Sequence, residues 1–83
     1  MTSTTLENMY AYYPATASII PYKDWVVVAY PNYKGVGVDV YESTESLEQF
    51  NNYNRRFDRI YQEEGIFEDL GYAVKWAFEK LGQ

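Results

Sequence analysis

An 83-residue chain with 47% apolar and 19% aromatic content is read as one folded domain, residues 1–83, too short to divide and too apolar to be disordered. Twelve acids against seven bases leave a net charge of −5, which disfavours non-specific nucleic-acid binding, because that relies on phosphate neutralisation by Lys and Arg. His and Cys are both absent, which removes most hydrolase chemistry, the commonest transition-metal ligands and any disulfide staple.

In chain order, Thr4 to Tyr13 reads as a short helix. Thr4 can cap it with Glu7 at the third helical position, and Leu6, Met9, Tyr10 and Tyr13 form a one-sided stripe that Pro14 ends. Thr16 to Ile20 can add a strand, with Pro21 to Asp24 as the following turn. Trp25 to Tyr30 is an apolar, β-branched and aromatic run, suited to a strand covered on both faces or central in a sheet. Pro31 to Gly35 is a turn, giving a hairpin loop of about four or five residues. Val36, Val38 and Val40 then alternate with Gly37, Asp39 and Tyr41, the period of a half-buried strand with Asp39 on its solvent side.

From Glu42 the pattern changes. Ser43 or Thr44 can cap a helix in which Leu47, Phe50, Tyr53, Phe57 and Ile60 form a stripe, with Glu48, Asn52, Arg55, Arg56, Arg59 and Glu63 opposite. Gly65 suits the position just past its end. Ile66 to Leu81 reads as a second amphipathic helix on Leu70, Ala73, Val74, Ala77 and Leu81, with acids early and lysines late. Gly65 leaves open one bent helix or two packed ones, and two are favoured. The expected fold class is α+β: a small antiparallel sheet of two or three strands, hairpin 24–41, packed against two C-terminal helices, with a short N-terminal helix.

Candidate chemistry is sparse. Glu63, Glu64, Glu68 and Asp69 gather at the helix junction, where a hard cation could be held. They lack the alternate-residue spacing of a Ca²⁺ loop, and a solvated turn beside a helix start is the simpler reading, so no metal and no cofactor is expected. A paired-carboxylate mechanism needs a cleft that so short a chain does not promise, and no enzyme activity is expected. Arg55, Arg56 and Arg59, with Tyr53 and Phe57, resemble a basic-plus-aromatic nucleic-acid patch, though ion pairs along a helix explain them as well.

Tyrosine is the strongest signal. A small core cannot satisfy the hydroxyls of ten, so several must be exposed, and Tyr and Trp concentrate at contact hot spots. The expected partner-binding surface is Tyr30, Tyr33, Tyr41, Tyr72 and Trp76, rimmed by Glu63, Glu64, Glu68 and Asp69, facing a protein with a basic surface. A DNA mimic is less apt, because Lys and Arg interrupt the acids.

Short, acidic, Cys-free and rich in aromatics, the chain resembles in style the small inhibitors that phages and mobile elements use against host enzymes or defence complexes such as CRISPR; no motif carries that resemblance. The expectation is a non-enzymatic protein-binding inhibitor or adaptor. Its alternatives are a self-assembling structural subunit and a small-ligand binder with a Tyr-lined pocket between hairpin and helices. The N-terminus lacks a basic, then apolar, leader, and Trp25 to Tyr30 is far too short to span a bilayer. A cytoplasmic location is expected, which for a phage product is the host cytoplasm.

Overall fold

A computed structural model describes residues 3–46, 48–51 and 53–82, with the side chains of residues 32 and 64–66 excepted. Alternation on the central strands determines the architecture. In β3 (Trp25–Asn32) and β4 (Gly35–Glu42) successive side chains leave opposite faces of the sheet, and here both faces are buried. Val26 and Val28 join Tyr41, Phe57, Leu6, Met9 and Tyr13 in one core. Val27, Ala29, Val36, Val38 and Val40 join Ala73 and Ala77 in another.

The covers are the two helices, α1 (Leu6–Tyr12) on the first face and α2 (Leu70–Lys80) on the second. Among the described residues the sheet has five antiparallel strands in the order β1-β5-β4-β3-β2, with β1 spanning Ser3–Thr5, β2 Ser18–Tyr22 and β5 Arg56–Phe67. Among the described residues no helix is long and apolar enough to cross a membrane.

This corrects the expected fold class, a two- or three-stranded sheet backed by two C-terminal helices. The stretch expected to be a helix from Ser43 is a loop through Arg55 followed by the twelve residues of β5. Side chains in the loop satisfy its backbone locally. Ser43 accepts from the Glu45 amide at 3.2 Å, Ser46 from Glu48 at 3.1 Å, and Asn51 from Asn54 at 2.9 Å. Such turns compete with helix hydrogen bonding. Of the supposed stripe only Phe57 is buried, while Phe50, Tyr53 and Ile60 are exposed; Leu47 and Asn52 lie outside the described residues.

The smaller differences have similarly local causes. The final helix starts at Leu70 because the Asp69 carboxylate accepts from the Tyr72 amide at 3.0 Å and caps it. Phe67 and the backbone at Gly65 and Ile66 belong to β5, so Gly65 joins no helices. Thr5, not Thr4, caps α1, accepting from Asn8 at 3.3 Å, while Thr4 is buried in β1. The hairpin is tighter than expected, with Tyr33 and Lys34 alone between its strands, and Pro21 and Tyr22 belong to β2.

Register along β5 decides which of its side chains reaches which face. Tyr41 faces Arg59 and Val40 faces Tyr61, so Ile60 is an extra residue that bulges the strand. Without it Phe57, Arg59 and Tyr61 would share a face. With it, Phe57 packs in the α1 core, while Tyr61 meets Trp76 of α2 edge to face at 6.4 Å.

One buried charge ties the loop down. Arg55 is fully buried, its guanidinium 2.8 Å from the Asp24 carboxylate, 3.1 Å from the Glu45 carbonyl and over the Phe57 ring. The Asp24 carbonyl also accepts from the Ser43 amide at 2.8 Å. Asp24 itself is largely exposed, yet its removal takes a counter-charge from a buried cation. Asp24→Ala is therefore expected to cost about 3 kcal/mol in urea unfolding, against less than about 0.5 kcal/mol for Asp58→Ala on the surface. Equal costs would mean that the guanidinium finds water instead.

Candidate functional site

A carboxylate expected in solvent is instead buried. Asp39 is 3% exposed, because α1 covers the face of β4 that carries Gly37, Asp39 and Tyr41. Burying an ion without partners is prohibitive, and three elements supply them. The Tyr13 hydroxyl donates to Asp39 Oδ2, and the Tyr41 hydroxyl, 2.6 Å from that of Tyr13, completes the chain by donating to it. Tyr30 approaches Oδ1 at 3.5 Å, and Arg59 Nη1 lies 3.9 Å from Oδ2.

Each partner is placed by a local backbone event. Tyr13 leaves α1 in an extended conformation ahead of Pro14, its amide still bonded to the Met9 carbonyl at 3.0 Å, and this drops its ring onto the sheet. The bulge at Ile60 brings Arg59 to the Asp39 face, and Gln62 stands opposite Asp39 in the ladder. Tyr30 faces Gly37 across the hairpin and lies over it: a Cβ there would be 2.8 Å from the phenol ring. Glycine at this position is what lets an aromatic ring lie flat against the strand.

Together these residues line a cleft of about 490 Å³, with Tyr12, Tyr13, Pro14 and Tyr30 as walls and Asp39, Arg59 and Gln62 as the polar side. Tyr12 is 64% exposed and meets Tyr13 edge to face at 5.1 Å; Tyr13 and Tyr30 lie 5.5 Å apart. Asp39 and Arg59 cancel each other's charge. The cleft therefore presents aromatic surface with mixed donors and acceptors and no net attraction for an anion.

The residues expected at a partner surface are dispersed. Tyr41 is fully buried in the α1 core, Tyr30 forms a wall of the cleft, and Tyr33 stands 93% exposed at the hairpin tip. Tyr72, Trp76 and Glu68 do come together, with Phe67, Lys75 and Glu79, around a second concavity of about 510 Å³ beside α2. Glu63 is half-buried on β5, and Asp69 is the α2 cap; the Glu64 side chain lies outside the described residues. Among the described residues no three carboxylates stand close enough to hold a metal ion. The supposed arginine patch is split, with Arg55 in the interior and Arg59 in the cleft.

Of the cleft residues, Tyr30 was expected at a contact surface, Arg59 in an arginine patch, Tyr13 on the stripe of the first helix and Asp39 in solvent, while Gln62 carried no expectation. The usable signal was Asp39 itself, an acid among valines in a strand whose neighbours of like parity, Gly37 and Tyr41, are not surface residues.

Residues 1–81 match the family described as nucleotide modification associated domain 4, and the chain belongs to that family. No curated protein matches the chain. No solved structure matches it either.

Burial, reinforced by the hydrogen bond to Asp39, raises the Tyr13 phenol far above its ordinary range, and burial near the same carboxylate raises Tyr41. Tyr13 therefore stays protonated in the folded chain when unfolded tyrosines ionise near pH 10, and Tyr41 ionises later than they do. Above about pH 10 the unfolded state therefore loses protons that the native state keeps. Stability should fall there by as much as about 1.4 kcal/mol per pH unit for each retained proton. Absorbance at 295 nm during alkaline titration should show Tyr13, one of the ten tyrosines, ionising only as the fold is lost, with Tyr41 delayed beyond an unfolded tyrosine. Substituting Phe at both positions should abolish that late step.

Proposed function

We propose that this domain is a non-catalytic recognition module that holds a single nucleobase, free or extruded from a strand, in the cleft between α1 and the sheet, as an accessory to nucleotide-modifying enzymes. One observation carries the reading: aromatic walls flank a polar edge in Arg59 and Gln62, and the buried Asp39 carboxylate behind Arg59 offsets its charge. A base offers the matching object, a flat ring with a polar rim, and bases taken from a stack are commonly held by ring stacking and edge hydrogen bonds. The family description points to nucleotide modification.

Charge decides between the base and the phosphate as the recognised part. A phosphate placed on Arg59 would also face Asp39, in a protein of net charge −5, whereas a carbonyl or ring nitrogen suffers no such repulsion. The same balance argues against a long duplex footprint, which needs several phosphate contacts. Catalysis is not part of the proposal. The chain has neither His nor Cys, and Asp39 is already engaged by Tyr13. The small-ligand alternative thus replaces the phage-inhibitor reading, for which the family match offers no support.

Titration calorimetry or amide shifts with the four nucleosides, their monophosphates and inorganic phosphate tests this. Nucleoside and monophosphate should bind alike, and phosphate alone should not compete. Tyr12→Ala, at an exposed position, should weaken binding about tenfold by removing a stacking face, with far-UV circular dichroism unchanged. Gly37→Ala should also weaken it, by displacing Tyr30. Binding that inorganic phosphate abolishes, or that needs the monophosphate, would overturn the reading.

A further inference from the structure

The polar edge of the cleft carries more donors than the protein uses. The Arg59 side chain lines the cleft and is 22% exposed, so it is mostly withdrawn from solvent. Its approach to Asp39, at 3.9 Å, is an ion pair beyond hydrogen-bonding distance. Tyr13 already donates to Oδ2 of that carboxylate, and Tyr30 lies 3.5 Å from Oδ1. Among the described residues the Arg59 guanidinium makes no hydrogen bond, and Asp39 serves it as a counter-charge only. A guanidinium holds its N–H donors in a rigid planar fork and accepts from nothing. In a partly shielded site such donors gain most from a ligand that brings acceptors.

Gln62 completes the edge. The bulge at Ile60 brings it to the same face as Arg59, although an odd number of residues separates their positions. It is exposed, and among the described residues its side-chain amide makes no hydrogen bond. The edge thus offers a fork of donors beside a group that can accept. Bases differ in how they answer that order. Guanine presents N7 and O6 as neighbouring acceptors followed by the N1–H donor, and cytosine presents O2 and N3 followed by its amino group. On the same edges adenine and uracil or thymine alternate acceptor with donor.

We propose that Arg59 makes the cleft selective for bases with two adjacent acceptors, guanine or cytosine, against adenine and uracil or thymine. The acceptor pair meets the guanidinium fork, and the donor beside it meets the Gln62 side-chain oxygen. Adenine would turn an amino group toward the guanidinium, donor against donor, and uracil would engage the fork through one acceptor only. This inference rests on the nucleobase reading and adds to it the class of base. Stacking on Tyr12, Tyr13 and Tyr30 is open to every base, so affinity and choice fall to different residues.

The test compares guanosine, cytidine, adenosine and uridine on the intact chain by calorimetry and by the NMR shift of the Arg59 side-chain N–H. Guanosine, cytidine or both should bind about tenfold or more tightly than the other two, as one bidentate arginine contact provides. Whichever leads names the base. 7-Deazaguanosine, which lacks N7, and 3-deazacytidine, which lacks N3, should each lose the advantage of the parent. Arg59→Lys keeps the charge beside Asp39 but removes the fork. It should lower the favoured nucleoside to the level of adenosine and leave adenosine unchanged, whereas Tyr12→Ala should weaken all four by one factor. The deaza analogues test the native chain, so the outcome does not hang on a variant that folds. Four nucleosides bound alike, a preference for adenosine or uridine, or a deaza analogue as tight as its leading parent would overturn the inference and leave the nucleobase reading standing. Binding of none of the four would remove both.

Discussion

The constraint on which the rest of this structure turns is the burial of the Asp39 carboxylate. An ion taken from water must be met by donors with good geometry, and no single segment of this chain could supply them. Tyr13 comes from the end of a helix, Tyr41 from the same strand, and Arg59 from a neighbouring strand that has to bulge to reach it. Helix stop, strand register and bulge can each be understood as meeting that demand. The cleft forms where they meet, so its shape follows from how the carboxylate is satisfied.

A sheet with both faces covered also separates two kinds of surface. On the α1 side a short helix stops early, leaving the aromatic neighbours of the buried carboxylate open at one end. On the α2 side the helix packs small residues, Ala73 and Ala77, closely against the valines of β3 and β4. Its larger residues, Tyr72 and Trp76, are left at the flank. Small residues in the packing stripe let the helix approach the sheet, and the aromatic rings are thereby pushed toward the margin. The exposed aromatics thus follow from how the core is packed.

The sequence was legible where its period was unambiguous. The β3 and β4 strands, the short first helix and the last helix all emerged from alternation, from a 3–4 spacing, or from a proline. The error lay in residues 43–64, where Phe50, Tyr53, Phe57 and Ile60 happen to fall at helical intervals. Ser43, Ser46, Asn51 and Asn54 in that stretch are turn formers whose side chains or amides bond locally, and their chemistry outweighs the spacing. The bulge hid the strand further, since an extra residue breaks strict alternation in β5. The cleft was less legible still. Asp39 could be seen as an unusual acid, but its partners lie 26 residues upstream in Tyr13 and across the sheet in Arg59. No local pattern reports such contacts.

The pairing of β1 with β5 has a consequence for how the molecule forms. Ser3 to Thr5 pair with residues Asp58 to Arg56, so the first strand made waits for the last before it can be placed. Until then α1 has Leu6 and Met9 to bury but not Phe57, one of their partners in that core. Sheet assembly of this kind closes long loops before it gains contacts, which slows folding relative to helical chains of similar length. Until β5 is made, Ser3 to Thr5 lack the strand they pair with, and Leu6 and Met9 lack part of their core. The cleft, which needs both Tyr13 and Arg59, is among the last features to exist. A ligand gripped there would report on a chain that has already completed its fold.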